Sequence, residues 1–188
     1  MTKKPHGAGK SSFDLLDPNI LFSILDLKED SLLADIGCGA GNYSVAISSY
    51  IGDSGKVYAI DLWEPGINQL KDRIAEKKVS NIYPILADVG DGIPLDDESL
   101  DYCFFATVFH DIVRSQESSV FLAEVNRVLK PDGKLFIIEF KKIDGHPGPG
   151  IEVRISEEEL ERMGSDASFV LNKNVDMQDF LYLSIFSK

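Results

Sequence analysis

Three alternate glycines, Gly37, Gly39 and Gly41, form the stretch of the sequence that most clearly indicates ligand binding. They follow a short apolar run, residues 32–36, which includes Asp35, and they precede a segment with helical spacing. An apolar run bounded by glycine predicts a buried strand. Because a glycine turn between a strand and a helix lets the backbone approach a ligand closely, we expect this turn to be the centre of a binding site.

Two further carboxylates, Asp61 and Asp88, end the predicted strands 56–61 and 82–88. In an open α/β sheet, ligands bind beyond the carboxyl ends of the strands. An acid after the second strand can accept two hydrogen bonds from a ribose diol, and an acid after the third can accept one from an adenine amino group. One such Asp alone is expected only to cap a turn, but the pair beside a glycine turn predicts a nucleoside-containing ligand.

His110 comes just after the predicted fourth strand, residues 100–108, and is followed by Asp111. Two interpretations stay open: a general base that takes a proton from a substrate, or a helix-start histidine whose ring is satisfied locally. No metal site is expected, because no cluster of His and Cys residues has ligand spacing. The aromatic side chains of this stretch are expected to pack in the core rather than to line a pocket: Phe104, Phe105 and Phe109.

The elements that must position these residues alternate between strand and helix. This order predicts an α/β fold, a Rossmann-like doubly wound seven-stranded sheet, mostly parallel, with one antiparallel strand in a C-terminal hairpin. The expected strands are 32–36, 56–61, 82–88, 100–108, 134–140 and two more around 167–171 and 180–186. The expected helices begin near residues 18, 45, 64, 118 and 156.

Three local signals refine these elements. Asp17 before Pro18 predicts the start of a leading helix with an apolar stripe that includes Ile20. Pro84 lacks a backbone donor, which places the third strand at the edge of the sheet. Ser156 with Glu159 predicts a capping box at the last helix.

The chain is expected to form one domain, residues 14–188, behind a flexible N-terminal segment, residues 1–13. That segment contains Gly9-Lys10-Ser11, but it lacks the first glycine and the preceding strand of a phosphate-binding loop. The loop 144–150, rich in Gly and Pro, is a candidate hinge or lid, although a plain surface connection is favoured.

Charge and composition narrow the class of protein. The formal net charge is −12, and no basic patch is visible, so nucleic acid is not an expected partner. No apolar run reaches the length of about 18 residues that a membrane span needs, and the first residues do not resemble a secretion signal. The two cysteines, Cys38 and Cys103, suggest no disulfide framework. We therefore expect a cytoplasmic protein.

The string Asp-Ile-Gly-Cys-Gly-Ala-Gly at residues 35–41 resembles motif I of the class I S-adenosylmethionine-dependent methyltransferases. The resemblance covers about residues 16–188 and is greatest to the type 11 small-molecule methyltransferases, which include quinone C-methylating enzymes. Four further segments are similar to later motifs of that family, in order along the chain: residues 57–61, 87–89, 100–107 and 127–135.

On the methionine side of the cofactor, the resemblance implies close contact with three glycines, Gly37, Gly39 and Gly41. It also implies that Asp35 anchors the ammonium group, through the turn or through water. The carbonyl of Ala106 is implied to lie near the same ammonium group.

On the nucleoside side, the resemblance implies that Asp61 holds the ribose hydroxyls and that Leu62 packs on adenine. It implies that Asp88 accepts from the adenine amino group, while the N–H of Val89 reaches the ring. Methylases of DNA and protein amides carry Asp/Asn-Pro-Pro-Tyr/Phe after the fourth strand. Residues 106–109 read Ala-Thr-Val-Phe instead, which disfavours amino-group methylation of bases or glutamine.

The function implied is methyl transfer from S-adenosylmethionine to a small-molecule or metabolite acceptor, by a monomer or homodimer without nucleic acid or membrane partners. One alternative is a non-catalytic protein that binds S-adenosylmethionine and acts through a partner. Another is an NAD-dependent oxidoreductase, against which Asn42 counts, because it stands where the dinucleotide pattern has its third glycine.

Overall fold

The structure is a computed structural model that describes residues 7–115, 118–145 and 147–188. The strands are β1 (Leu32–Ile36), β2 (Lys56–Asp61), β3 (Ile82–Leu86), β4 (Leu100–Ala106), β5 (Leu129–Phe140), β6 (Val170–Met177) and β7 (Leu181–Ser187). The α-helices are α1 (Pro18–Leu25), α2 (Asn42–Tyr50), α3 (Glu64–Lys77), α4 (Phe109–Arg114), α5 (Ser118–Val128) and α6 (Glu157–Asp166). Short 3-10 helices occupy Phe13–Leu15, Val89–Asp91 and Ile151–Val153.

The seven strands form one sheet in the order β3-β2-β1-β4-β5-β7-β6. The strands are parallel up to β5, and β7 runs antiparallel between β5 and β6. The predicted Rossmann-like class, with one antiparallel strand inserted through a C-terminal hairpin, is confirmed. The strand order reverses beside β1, between β1 and β4, so a ligand is expected at the carboxyl ends of these two strands.

The sheet is buried on both faces, and β4 shows how its side chains divide between them. Phe104 packs in one layer against Tyr43, and Phe105 packs in the other layer against Phe109 and Phe121. This division follows from the alternation of side chains along a strand. The three aromatic residues around the end of β4 are fully buried, which confirms the prediction that they belong to the core.

Local signals for helix starts and for the sheet edge are confirmed. The Asp17 side chain accepts a hydrogen bond from the N–H of Asn19 and caps α1, and a complete capping box opens α6. Pro84 lies in β3, which forms one edge of the sheet. The missing N–H of proline therefore leaves no gap between two strands.

Several expectations were wrong in detail. β3 ends at Leu86 and β4 at Ala106, each two residues before the expected end. Ile20 was placed on the buried stripe of the leading helix, but it is 48% exposed, and Leu21, Phe22 and Leu25 are buried instead. β5 begins at Leu129 rather than residue 134, and its pairing with β4 shifts register between Leu100 and Tyr102.

The first strand of the hairpin is β6, which runs from Val170 to Met177 rather than around 167–171. β6 lies at the sheet edge and exposes most of its residues. Backbone pairing with β7 holds it there, so no apolar run marks it in the sequence.

The N-terminal segment reaches the domain. Residues 1–6 lie outside the described residues, and so does His146 of the predicted 144–150 loop. Ser12 is buried and hydrogen-bonds Tyr43, and Phe13 packs edge-on against the same ring. The flexibility of residues 1–13 stays a prediction.

Across the described parts of the chain, no helix has both the length and the apolar character needed to cross a membrane.

Candidate functional site

The glycine turn between β1 and α2 is closed by its own backbone. The N–H groups of Gly37 and Cys38 both donate to the carbonyl of Ile60, and the N–H of Gly41 donates to Cys38. The N–H of Gly39 donates to the carboxylate of Asp61 at 2.7 Å. Because these amides are already bonded, the turn differs from the open backbone cradles that bind phosphate.

The three glycines of the turn are required for different reasons. A Cβ at Gly37 would lie 2.7 Å from a methyl carbon of Val108, and a Cβ at Gly41 would lie 2.3 Å from a methyl carbon of Leu70. A Cβ at Gly39 would meet no atom within 4 Å. Gly37 and Gly41 therefore allow close packing of neighbouring elements, whereas the backbone at Gly39 borders open space that a ligand can fill.

A guanidinium group supports the turn from α3. Arg73 donates from one nitrogen to the carbonyl of Ala40 at 2.6 Å and to the side-chain oxygen of Asn42 at 2.8 Å. These bonds fix the orientation of the peptide between Ala40 and Gly41. The residue that argued against a dinucleotide site, Asn42, thus has a structural partner.

Asp35 lies on β1 beneath the turn and is almost completely buried. Its carboxylate accepts a hydrogen bond from the Ser44 hydroxyl at 2.5 Å. Burial raises the pKa of Asp35 from 3.8 to about 7, against the Ser44 hydrogen bond, which lowers it; the negative charge of Asp61 raises it further. A cation bound beside this group would favour its charged form.

Asp61 ends β2 and faces the turn. One oxygen accepts from the N–H of Gly39 and the other from the N–H of Trp63, both at 2.7 Å. A carboxylate has about four acceptor positions, so both oxygens keep the capacity to accept further donors such as ribose hydroxyls. Leu62, implied to pack on adenine, is 45% exposed next to this carboxylate.

The ends of β2 and β3 are held together, because the N–H of Ala87 donates to the carbonyl of Asp61 at 3.1 Å. Asp88 follows and accepts from the N–H of Gly90, which caps the 3-10 helix that begins at Val89. The structure thus brings Asp61 and Asp88 to the same edge of the sheet as the glycine turn.

Ala106 ends β4, and the next residue is strained. Thr107 adopts a φ of 54°, in the left-handed region that a β-branched residue seldom occupies. Its hydroxyl donates to Ser12, which in turn hydrogen-bonds Tyr43 of α2. The N-terminal segment therefore lies across the carboxyl end of β4, and strain of this kind concentrates at functional sites.

His110 lies in the first turn of α4, and its ring is bonded to a carboxylate on β5. Nδ1 lies 3.0 and 2.9 Å from the two oxygens of Glu139, and the backbone N–H of His110 donates to the same carboxylate at 3.1 Å. Nε2 lies 3.8 Å from an oxygen of Asp111, which is longer than a hydrogen bond.

Opposing effects act on the pKa of His110. Burial lowers it, and so does the charge of Arg154, but the hydrogen bond and the charge of Glu139, with the charge of Asp111, together raise it more. The net result is a pKa above the usual 6.5. Both interpretations of His110 stay open. The hydrogen bonds at Nδ1 agree with a locally satisfied ring, and Nε2, on the side of Asp111, is the atom that could act as a general base.

Arg154 is the second buried charge in this region, at 3% exposure. Its five N–H donors all bond to backbone carbonyls of the segment after β5, at distances between 2.5 and 3.1 Å. The acceptors are the carbonyls of Lys141, Ile143, Gly145, Pro147 and Pro149. The guanidinium group also lies 5.6 Å from the centre of the Phe140 ring.

The sequence interpretation did not single out Glu139 or Arg154. The signal for Glu139 is a lone carboxylate in the apolar run 135–140, since a charge in a buried strand needs a partner. The signal for Arg154 is weaker. It is a neighbouring loop rich in Gly and Pro, whose carbonyls no ladder of a helix or sheet can satisfy.

The fold defines a Rossmann-like protein in which Asp61 and Asp88 lie beside the glycine turn at one edge of the sheet. A family model described as a methyltransferase domain matches residues 34–137. The crystal structure of a SAM-dependent methyltransferase from Aquifex aeolicus superposes with a TM-score of 0.85 and is 31% identical, over 93% of this chain and 91% of that one. The chain therefore belongs to the class I S-adenosylmethionine-dependent methyltransferase family, whose cofactor is S-adenosylmethionine.

Curated relatives have more specific names. The ubiquinone/menaquinone biosynthesis C-methyltransferase UbiE of Paraburkholderia phytofirmans is 36% identical over 109 residues, 58% of this chain and 43% of the relative. The demethylmenaquinone methyltransferase of Lactobacillus johnsonii is 30% identical over 168 residues, 87% of this chain and 63% of the relative. The chain spans less than two thirds of the length of either relative.

Proposed function

We propose that the protein transfers a methyl group from S-adenosylmethionine to a small-molecule acceptor. The observation that carries the proposal is the open space at Gly39 beside the Asp61 carboxylate, at the point where the strand order reverses. Membership of the methyltransferase family supports it. The nicotinamide alternative is disfavoured, because the amides that would bind a pyrophosphate are already bonded within the turn.

The residues present fit this cofactor. Asp35, Asp61 and Asp88 give the carboxyl edge of the sheet a negative character, which suits a ligand with a sulfonium and an ammonium group and opposes a dinucleotide. In the proposed mode, Asp61 accepts from the ribose hydroxyls and Leu62 covers one face of adenine. Asp88 and the N–H of Val89 meet the polar edge of the ring.

On the methionine side, the backbone around Gly39 lines the ligand, and Gly37 and Gly41 hold that backbone in place through their close packing. The carbonyl of Ala106 and the carboxyl group of Asp35 lie on the side where the ammonium group is proposed to bind. The chemistry that S-adenosylmethionine supplies when bound is a methyl group activated by a positively charged sulfur.

His110 is the proposed general base. It stands beyond the end of β4, on the β5 side, where an acceptor would meet the methyl group. Its task is to take the proton that the acceptor loses, and water exclusion and in-line positioning account for the rest of the rate.

For the acceptor, the names of the relatives point to a quinone-type ring, and we propose a reduced quinone or a related phenol as the first class to test. Two exposed apolar side chains are consistent with the proposal that the acceptor is apolar. Ile143 and Ile151 each expose about two fifths of their surface on the segment after β5, and the 3-10 helix that begins at Ile151 contacts α4.

Calorimetric titration with S-adenosylmethionine, S-adenosylhomocysteine and NAD is the first test. We expect binding of both sulfur compounds and none of NAD. A methyl-transfer screen over phenols, reduced quinones, thiols and amines then identifies the acceptor. Binding of NAD alone would overturn the proposal, and binding of S-adenosylmethionine with no transfer to any acceptor would favour the non-catalytic alternative. Sedimentation of the same samples decides between the proposed monomer and homodimer.

A further inference from the structure

Glu139 is a completely buried carboxylate near the end of β5, an interior strand of the sheet. Its Oε1 accepts from the backbone N–H of His110, and its Oε2 accepts from the backbone N–H of Phe140 at 3.2 Å. The same two oxygens lie 3.0 and 2.9 Å from Nδ1 of His110. Four contacts therefore hold one carboxylate between α4 and β5.

The direction of these bonds determines where the imidazole proton lies. A backbone N–H can only donate, so both oxygens of Glu139 act as acceptors towards the main chain. An ionised carboxylate has no donor of its own, and Nδ1 must then carry the proton that it shares with the two oxygens. Nε2, on the other side of the ring, is left with its lone pair.

We propose that Glu139 is a positioning residue for methyl transfer: it holds the His110 ring by Nδ1 and keeps Nε2 as the atom that receives the acceptor's proton. The proposal rests on the proposed function of the site. It adds to that function a residue on β5, 29 positions along the chain from the base on α4 that it orients.

A bond forms between the acceptor atom and the methyl carbon, while the bond from sulfur to that carbon breaks and leaves its electron pair on sulfur. The acceptor's proton passes to Nε2, and the imidazolium formed is stabilised by the negative charge of Glu139 at Nδ1. Without that charge, a cation would be created in a nearly buried position with no compensating partner at Nδ1.

The groups that face the ring are Glu139 from β5, Asp111 from α4 and Arg154 from the segment before α6. The two carboxylates favour the protonated ring, and the guanidinium group opposes it. Arg154 bonds to main-chain carbonyls, so its charge does not neutralise Glu139 by direct pairing.

Nitrogen NMR of the unaltered protein with labelled histidine tests the tautomer without any activity measurement. The chain has three histidines, and the signals of His110 are those absent from His110→Gln. Above the pKa of the ring, we expect a protonated Nδ1 and an unprotonated Nε2. A proton on Nε2 and none on Nδ1 would overturn the proposal, and this result does not depend on whether any Glu139 variant folds.

Glu139→Gln tests whether the carboxylate at Nδ1 affects turnover and its pH dependence. One of the two oxygens facing Nδ1 becomes an NH₂ group, so the preference for a proton on Nδ1 is weakened and part of the proton moves to Nε2. We expect turnover to fall about 10- to 100-fold, less than the whole contribution of acid–base catalysis. The acid limb of the pH profile should move down by about one unit, because a negative charge beside the imidazole is lost.

Glu161→Gln is the matched control, since it makes the same chemical change on an exposed part of α6. It should leave turnover, pH profile and histidine signals unchanged. Both variants should bind S-adenosylmethionine within about threefold of the unaltered protein. Absence of that binding in the unaltered protein would overturn the proposed function, whereas an unchanged pH profile in Glu139→Gln with binding intact would overturn only the positioning role.

Discussion

The backbone N–H of Gly39 donates to Oδ2 of Asp61 at 2.7 Å, which ties the turn after β1 to the end of β2. The other oxygen of Asp61 accepts from Trp63 at the same distance. The carboxylate that is proposed to hold ribose therefore also shapes the turn that borders the ligand.

Asp61→Ala should weaken S-adenosylmethionine binding by about 2–4 kcal/mol, or roughly 30- to 1,000-fold, because two charge-assisted hydrogen bonds are lost. The ligand-free protein should also lose about 1–3 kcal/mol, because the amides of Gly39 and Trp63 lose their acceptor. Titration calorimetry and urea unfolding measure the two effects. Asp53→Ala, at an exposed loop position, is the control and should change neither. A loss of affinity below threefold would remove Asp61 from the ribose site.

Gly37→Ala should destabilise the protein by about 2–5 kcal/mol, from left-handed strain at a φ of 73° and from the clash with Val108. Gly52→Ala is a matched control, because Gly52 has a φ of 71° and a Cβ there meets nothing within 4 Å. Its cost should be the strain alone, about 1–2 kcal/mol. Urea unfolding compares the two variants.

The clash at Gly37 can be separated from the strain by a double-mutant cycle. Val108→Ala removes the two methyl carbons that a Cβ at position 37 would meet at 2.7 and 2.9 Å, and it keeps the Cβ of residue 108 at 3.0 Å. Gly37→Ala should therefore cost less in the Val108→Ala background than in the unaltered protein, but more than Gly52→Ala, because the Cβ of residue 108 remains in tight contact. Equal costs of Gly37→Ala in both backgrounds would show that packing against Val108 is not the reason for the glycine.

Asp35 should make folding stability fall as the pH rises from about 4 to about 7. Its pKa is about 7 in the folded state against an ordinary 3.8, so the folded state binds more protons across this range. The stability is fully present below the lower value and is lost on approaching the higher one, by on the order of 4 kcal/mol. Asp35→Asn should remove this slope, which urea midpoints at several pH values would reveal. The exposed control Asp53→Asn should keep it, and an unchanged slope in Asp35→Asn would contradict the assignment.

Arg154→Lys should release the segment after β5. An ammonium group has three donors and no planar fork, so it cannot satisfy the five carbonyls that the guanidinium group holds. We expect a loss of about 2–4 kcal/mol in unfolding free energy and at least about tenfold faster trypsin cleavage after Lys141 and Lys142. Arg162→Lys, at an exposed position of α6, should behave as the unaltered protein. Equal cleavage rates in the two variants would mean that Arg154 does not hold the segment.

His110→Ala should lower turnover by about 10²–10⁴-fold while cofactor affinity stays within about threefold. The physical reason is loss of the group that takes the acceptor's proton, with no change at the residues proposed to hold the cofactor. Asp111→Asn should cause a smaller loss of the same kind, since its oxygen lies 3.8 Å from Nε2. Single-turnover kinetics with the identified acceptor measure both. Full turnover in His110→Ala would show that the histidine is structural.

Local sequence pattern was sufficient for the class of sheet and for the placement of the glycine turn, Asp61 and Asp88 at one of its edges. The glycine turn, Asp61 and Asp88 all follow apolar runs, and the ends of parallel strands necessarily meet at one edge, so their proximity follows from the alternation of elements. The edge position of β3 follows equally from the missing donor of Pro84. The hairpin strand expected around 167–171 is β6 at Val170–Met177, and its bounds were wrong because an exposed edge strand is held by its backbone pairing and carries few apolar side chains.

The partners of the buried charged groups could be identified only from the tertiary structure. His110 and Glu139 are 29 residues apart, and Arg154 meets carbonyls whose positions depend on the path of a whole loop. Sequence spacing does not predict such contacts. Whether Glu139 on β5 meets His110 depends on the register of the strands and on how α4 packs against the sheet. Burial then determines the protonation of these groups. The same residues exposed to water would be ordinary surface charges, whereas in the buried site each hydrogen bond determines where a proton lies.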